Sequence, residues 1–181
     1  LHLCDRRQRQ MCIRDRYITV AEALNTFSKF STITPDESML SAWYSISKLE
    51  PTDDTYDSAK ISSIILKKDL VLTHNDIANL NFADNLTNLQ VLTWVMRLTQ
   101  SFYGCTRYIK DTDTYSTDDI YTAVYYRGLI NSTDTSNAQL PISRADFYDL
   151  LNKVLFCSYV RGGYGGNYTT SLYETLQKQV S

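Results

Sequence analysis

The stretch "AVYYRGLINSTDTSNAQLPISRADFYDLLNKVL", residues 123–155, contains two helical patterns separated by a polar loop. The first pattern ends at Gly128, and glycine readily adopts the left-handed conformation found after helix C-termini. The second pattern follows Ser143, which can cap a helix, and Asp146 three residues later can reach back to that cap. The stretch therefore predicts a short helix, a loop and a long capped helix.

Two earlier parts of the chain repeat this pattern. "DTYDSAKISSIILKKDLVL" (54–72) resembles "DTYSTDDIYTAVYYRGLI" (113–130), with Asp69 opposite Gly128. "LTNLQVLTWVMRL" (86–98) aligns without gaps to "ISRADFYDLLNKV" (142–154), and "ITVAEALNTFSKF" (18–30) is a third copy of the long helix. Self-similarity of this kind indicates a repeat architecture. We predict an all-α fold of tandem helix–loop–helix repeats with at most short extended pieces.

Three further segments are interpreted from their local patterns. "TPDESMLSAWYSISKLEP" (34–51) predicts an extra helix that Asp36 could cap and Pro51 would end. "THNDIA" (73–78) reads as a polar loop, because neither His74 nor Asp76 has an identifiable catalytic partner. "RGGYGGNY" (161–168) is glycine-rich and predicts a flexible linker into the terminal segment "SLYETLQKQVS".

The N-terminal segment "LHLCDRRQRQMCIRDR" (1–16) has no apolar periodicity. It resembles the conceptual translation of a sequencing-library adapter, so we interpret it as non-native and expect it to be unpacked. We expect the native N-terminus, with any signal peptide, to have been lost at this junction. The segment holds five of the eighteen Lys and Arg but two of the twenty Asp and Glu, so the remainder has a net charge of −5. Without the basic segment nothing in the charge pattern favours a nucleic-acid partner.

The predicted organisation has five parts. They are the adapter-like segment (1–16), the last helix of a truncated first repeat plus the extra helix (17–50), the second repeat (51–103), the third repeat (104–160), and a linker with a terminal helix (161–181).

The repeats resemble the S-layer homology family. Its module has a short helix that ends in Gly-Leu/Ile-Ile, a loop rich in Gly, Asn and Asp, and an "ITRAE"-type motif that opens a long helix. Residues 123–155 follow that pattern nearly throughout, residues 64–98 follow it more loosely, and residues 18–30 match its last helix. The resemblance implies three modules packed as a pseudo-threefold bundle.

The resemblance also implies a ligand. The family attaches surface proteins to secondary cell-wall polysaccharide that carries acidic groups, commonly ketal-linked pyruvate, and the motif arginine typically contacts that acid. Only "SRAD" keeps the arginine, as Arg144 with Ser143 and Asp146 beside it, whereas Val20 and Asn88 occupy the matching positions. A guanidinium binds a carboxylate with two parallel hydrogen bonds, and a helix N-terminus adds partial positive charge. The alternative for Arg144 is a solvated residue, or one paired with a neighbouring acid.

Two tyrosines are further candidates for ligand binding. Tyr56 and Tyr115 lie near the short helices, where the family often has a tryptophan, and each could stack on a sugar ring. The alternative is that both pack at the boundary of the core.

The sequence offers little support for other chemistry. "DTDTYSTDD" (111–119) hints at a calcium loop through Asp111 and Asp113, but it lacks the glycine and the final carboxylate of such loops. Outside the adapter-like segment, Cys105 and Cys157 have no metal-ligand spacing and His74 is the only histidine. We expect no metal, no cofactor, no catalytic residues and no transmembrane segment.

These observations predict a non-catalytic anchoring module at a bacterial cell surface or cell wall, outside the cell. Its partner would be an acidic, pyruvylated wall polysaccharide or another peptidoglycan-linked polymer. The alternative is a degenerate repeat domain that acts in protein–protein contact or surface-layer assembly.

Overall fold

The computed structural model describes residues 16–31, 33–47, 56–99, 101–102, 105–106, 114–163, 166–174 and 177. Side chains are described for these residues except those within 101–106 and 158–170. This part of the chain is mostly helical, which confirms the all-α class. Its helices are α1 (Val20–Phe27, followed by a 3-10 turn Ser28–Phe30), α2 (Glu37–Ile46), α3 (Asp57–Lys68), α4 (His74–Asn79), α5 (Asn88–Leu98), α6 (Thr117–Tyr126) and α7 (Arg144–Phe156). The segment 1–15, most of the adapter-like stretch, lies outside the described residues.

Two antiparallel hairpins accompany the helices. A short one pairs β1 (Ser101–Phe102) with β2 (Cys105–Thr106), and a longer one pairs β3 (Ser158–Gly163) with β4 (Gly166–Ser171). The prediction of a flexible linker over 161–168 is therefore wrong, and the predicted boundary at residue 160 falls inside β3. Tyrosine and threonine at 168–170 favour extended backbone, and the ladder satisfies groups that a linker would leave to water.

Side-chain caps begin α1, α5 and α7, which correspond to the predicted long helices of the three repeats and are called the long helices below. Thr19 and Glu22 form a capping box at α1, and Thr87 and Gln90 form one at α5. At α7, the Ser143 hydroxyl accepts a hydrogen bond from the Asp146 amide (3.1 Å) and donates one to its carboxylate (2.7 Å). These contacts satisfy amides that a helix N-terminus leaves without intrahelical partners.

The segments that lead into these helices form a closed ring of hydrogen bonds. The amide of Ile18 donates to the carbonyl of Ile142 (3.3 Å), that of Ile142 to Leu86 (2.9 Å), and that of Leu86 back to Ile18 (2.9 Å). All three side chains are buried. The ring holds the starts of α1, α5 and α7 together although they are far apart in the sequence.

The three long helices share one apolar core. The ring of Phe27 in α1 makes edge contacts with Trp94 in α5 (centroids 5.6 Å apart) and with Phe147 in α7 (5.8 Å). All three side chains belong to a single buried cluster. α1, α5 and α7 therefore pack on one core.

Trp43 is the buried residue of the extra helix α2, beside four partly buried apolar residues. The Asp36 carboxylate accepts from the amide of Met39 (2.9 Å), as predicted for a cap, whereas Pro51 lies outside the described residues. Trp43 is buried and stacks on Phe82, which follows α4.

The prediction of a polar loop over 73–78 is wrong. It forms the short helix α4, where Thr73 and Asp76 make a capping box. Ile77 is buried beneath it. Packing of Ile77 and the Thr-x-x-Asp cap outweigh the low helix propensity of histidine and asparagine.

The repeats align one residue differently from the sequence comparison. After α3, the amide of Leu70 donates to the carbonyl of Lys67 (3.1 Å), and after α6 that of Gly128 donates to Tyr125 (2.8 Å). Leu70 has φ +63° and Gly128 has φ +70°. Leu70, rather than Asp69, is therefore the counterpart of Gly128.

Candidate ligand-binding site

Arg144 is the first residue of α7 and pairs with an acid on another helix. Its guanidinium Nη2 donates to Oε1 of Glu22 in the first turn of α1, while Oε2 of Glu22 accepts from the Thr19 amide (3.1 Å). About a third of each side chain is exposed, 29% for Arg144 and 41% for Glu22. Among the described residues the buried Nε of Arg144 has no hydrogen-bond partner. The motif arginine thus holds a carboxylate where the starts of two helices meet.

The matching positions at the other two long helices make different contacts. Val20 is buried, and its amide donates to the carbonyl of Asp84 (2.8 Å). The side-chain amide of Asn88 donates to the carbonyls of Asn137 (3.1 Å) and Leu140 (3.0 Å). The start of α7 therefore has an ion pair, the start of α5 a hydrogen-bonded side-chain amide, and the start of α1 an apolar side chain.

A groove of about 480 Å³ lies beside Asn88, between α5, α6, α7 and the loop after α6. Arg144 does not line it, so Arg144 and its neighbour Asp146 face different spaces. Its polar lining residues are Asn88, Tyr121, Asn131, Ser132, Asp134, Asn137, Asp146, Asp149 and Lys153.

The polar lining of this groove is ordered by its own hydrogen bonds. The Tyr121 hydroxyl donates to the side-chain carbonyl of Asn137 (2.9 Å), and burial, then the charge of Asp134, raises the pKa of Tyr121. The amide and hydroxyl of Ser136 both donate to Asp134 and lower the pKa of that carboxyl. Three carboxylates against Lys153 make the groove net negative, which suits a polar neutral or cationic group better than an acidic one.

Tyr56 and Tyr115 both pack against the core. Tyr56 is half-buried, with its ring 5.5 Å from that of Phe82. Tyr115 is also half-buried and contacts the apolar cluster. Neither lines the groove beside Asn88, and these positions favour the packing alternative.

Sequence reasoning missed Glu22, Asp149 and Lys153 as site residues. Its local pattern, Thr-x-x-Glu, explains Glu22 as part of a cap, and nothing local reveals a partner 122 residues away. Asp149 and Lys153 had a readable signal. They lie three and seven residues after Asp146, and this spacing places all three on one face of a helix.

Other predicted features yield no site in the described part of the chain. No cluster of three or more His, Cys, Asp or Glu there could hold a metal ion, and Asp111 and Asp113 lie outside it. Burial raises the pKa of the Cys157 thiol, and the neighbouring Arg127 offsets only part of that rise. The side chain of Cys105 lies outside the described residues. Of the helices described, none has the length and apolar character needed to cross a bilayer.

No protein-family model, curated protein or solved structure matches this chain. Its function therefore has to be inferred from its own residues and geometry.

Proposed function

We propose that the chain is a non-catalytic module that anchors a bacterial surface protein to acidic, pyruvylated cell-wall polysaccharide. Three features support the proposal: the repeated capped helices, the ring of hydrogen bonds at Ile18, Leu86 and Ile142, and an arginine at one of the helix starts. The ring is the arrangement that a pseudo-threefold bundle would need. Extracellular placement at the wall belongs to the same proposal.

The contact between Arg144 and Glu22 carries the proposal. It places a guanidinium, beside a helix N-terminus, against a carboxylate of the chain itself. Glu22 occupies the position that a pyruvate carboxylate would take. Because both side chains are partly exposed, their pairing contributes at most about 1 kcal/mol, and an external carboxylate could replace Glu22.

Replacing each partner separately tests this competition. We expect Arg144→Ala to weaken binding to purified pyruvylated wall polysaccharide by about 1.5–3 kcal/mol, the range for a hydrogen bond to a charged group. We expect Glu22→Gln to strengthen binding, because it removes the competing charge. Glutamine should preserve the cap, since Gln90 forms the same box with Thr87. Isothermal titration calorimetry measures both affinities.

The ligand control is the same polysaccharide after mild acid has removed its pyruvate. The protein control is Arg127→Ala, which removes a different arginine. We expect the stripped polymer to bind wild type and Arg144→Ala equally weakly. Equal affinity of wild type and Arg144→Ala for the pyruvylated polymer would contradict the mechanism. Weaker binding by Glu22→Gln, with its helix content unchanged, would contradict the competition.

A second candidate function is protein–protein contact or surface-layer assembly by a degenerate repeat domain. The observation that favours it is that Val20 and Asn88, at the matching helix starts, supply no charge. Exposed aromatic side chains such as Tyr126 (69% exposed) and Phe156 (60%) would suit such a contact. Concentration-dependent self-association in analytical ultracentrifugation, together with no binding to wall polymer, would favour this candidate.

A further inference from the structure

A second cavity, of about 540 Å³, lies between α2, α3 and α4, away from Arg144. Its volume is within the range of small-molecule sites in proteins. Its lining is mainly apolar and comprises Met39, Ala42, Trp43, Ile46, Ile64, Lys67, Lys68, Leu70 and His74.

The wall of this cavity contains a buried polar group without a partner. Trp43 is 2% exposed, and its indole Nε1 has no hydrogen-bond partner among the described residues. Buried donors are nearly always paired in native proteins, so an unpaired one points to a missing acceptor. A ligand oxygen in the cavity could supply that acceptor.

The backbone beside the cavity is held in a disfavoured conformation. Leu70 has φ +63°, which is costly for a residue with a branched side chain, and its side chain lines the cavity. Gly128 occupies the corresponding position after α6 without that cost. This conformation is the usual C-terminal cap of a helix, and at Leu70 it places a leucine rather than a glycine against the cavity.

The charged lysines in the lining of the cavity give it a positive charge. Lys67 and Lys68 end α3 at the cavity, and no described residue that lines it is acidic. An apolar cavity with ammonium groups beside it is complementary to a molecule with an aliphatic chain and an anionic head.

We propose that this cavity binds a single-chain fatty acid. The carboxylate accepts a hydrogen bond from the Trp43 indole and lies near Lys67 and Lys68, and the aliphatic chain lies against Met39, Ile46 and Ile64. This site is separate from Arg144 and does not depend on polysaccharide binding.

Titration with decanoate tests the site, using the fluorescence of the Trp94→Phe variant of the full chain. Trp43 is then the only tryptophan, so a saturable change in emission reports the cavity. We expect Lys67→Gln/Lys68→Gln to raise the dissociation constant by about fivefold or more, the loss of one or two exposed ion pairs. Ala42→Phe should abolish binding by filling the cavity from its exposed edge without adding a second tryptophan.

Lys29→Gln is the matched control, because Lys29 is an exposed lysine that does not line the cavity. Its affinity for decanoate should equal that of the parent. The fatty-acid site is overturned if decanoate gives no saturable signal, or if Lys67→Gln/Lys68→Gln and Lys29→Gln bind equally well. Sedimentation of the chain with phosphatidylglycerol vesicles, without any response to decanoate, would overturn it in favour of a membrane-surface contact.

Discussion

At the scale of single residues, the left-handed conformation after α3 and α6 is adopted by two different residue types. Glycine has no Cβ and occupies this region freely, whereas leucine brings its Cβ close to the following carbonyl oxygen. The conformation persists at Leu70 because Val71 and Leu72, directly after it, are fully buried and hold the chain in place. The local preference of one residue is overridden by the burial of its neighbours.

Gly128→Ala should lower the free energy of unfolding by about 1–2 kcal/mol, the cost of placing an L-residue in this conformation. Apart from residue 128 and its two chain neighbours, an added Cβ would meet no atom within 4 Å, so the loss comes from the local backbone and not from a clash with the rest of the protein. Urea denaturation measures it.

Leu70→Gly and Asp69→Gly are the matched pair for this prediction. Leu70→Gly relieves backbone strain, so its loss of unfolding free energy should be smaller than expected for the side-chain contacts that it removes. Asp69 has φ −77°, so Asp69→Gly relieves no strain. An Asp69→Gly variant more stable than wild type, or a neutral Gly128→Ala, would contradict the one-residue shift between the repeats.

At the scale of elements, the short helix α4 is joined to α5 by Asp76. Its carboxylate accepts from the Thr73 amide (2.7 Å), from the Thr73 hydroxyl (2.8 Å) and from Nη1 of Arg97 (2.6 Å). Nη1 of Arg97 also donates to the carbonyl of Val71 (3.2 Å). One acid therefore caps α4 and neutralises a cation on α5.

The two partners of this ion pair should differ in their cost of removal. The side chain of Arg97 is 9% exposed and that of Asp76 is 29% exposed. Asp76→Ala leaves the guanidinium buried and removes the carboxylate half of the capping box, so we expect a loss of about 3 kcal/mol or more in unfolding free energy. Arg97→Met leaves a carboxylate that water can reach and fills the same space, so we expect a smaller loss.

Chemical denaturation of both variants and of the double variant measures these effects and their coupling. Asp118→Ala is a suitable control, because it removes an exposed acid from the first turn of another helix. A larger loss of unfolding free energy for Arg97→Met than for Asp76→Ala would contradict the prediction that the buried guanidinium of Arg97 sets the cost.

At the scale of the whole molecule, the ring of hydrogen bonds and the aromatic contacts join the same three helices at different levels. The backbone ring of Ile18, Leu86 and Ile142 sets the starts of the helices, and Phe27, Trp94 and Phe147 meet farther along them. Stability of this core should therefore depend strongly on each aromatic residue.

Phe147→Ala should reduce the free energy of unfolding by about 3–5 kcal/mol, as expected when a fully buried phenylalanine leaves a cavity. Tyr148→Ala is the control, because Tyr148 is the next residue of α7 and is 48% exposed. Thermal and urea unfolding followed by circular dichroism measure both. A loss below about 1 kcal/mol for Phe147→Ala would mean that the buried face of α7 is wrongly assigned.

The sequence alone determined the helical class, the caps of the long helices and their apolar faces. These features depend on residues three or four positions apart, such as Thr87 with Gln90, so the chain displays them directly. The turn residue Leu70, the helix α4 and the pairing of 158–163 with 166–171 were not predicted, because burial of Val71, Leu72 and Ile77 and pairing between strands outweighed local propensity.

What Arg144 faces depends on the tertiary structure and could not be read from the sequence. Its position at a helix start was readable from "SRAD", but its partner Glu22 lies 122 residues earlier, and the hydrogen-bonded ring brings the two together. The groove beside Asn88 and the cavity beside Trp43 likewise arise where separate helices meet. Contacts of this kind depend on how elements pack in space, and no local spacing in the chain encodes them.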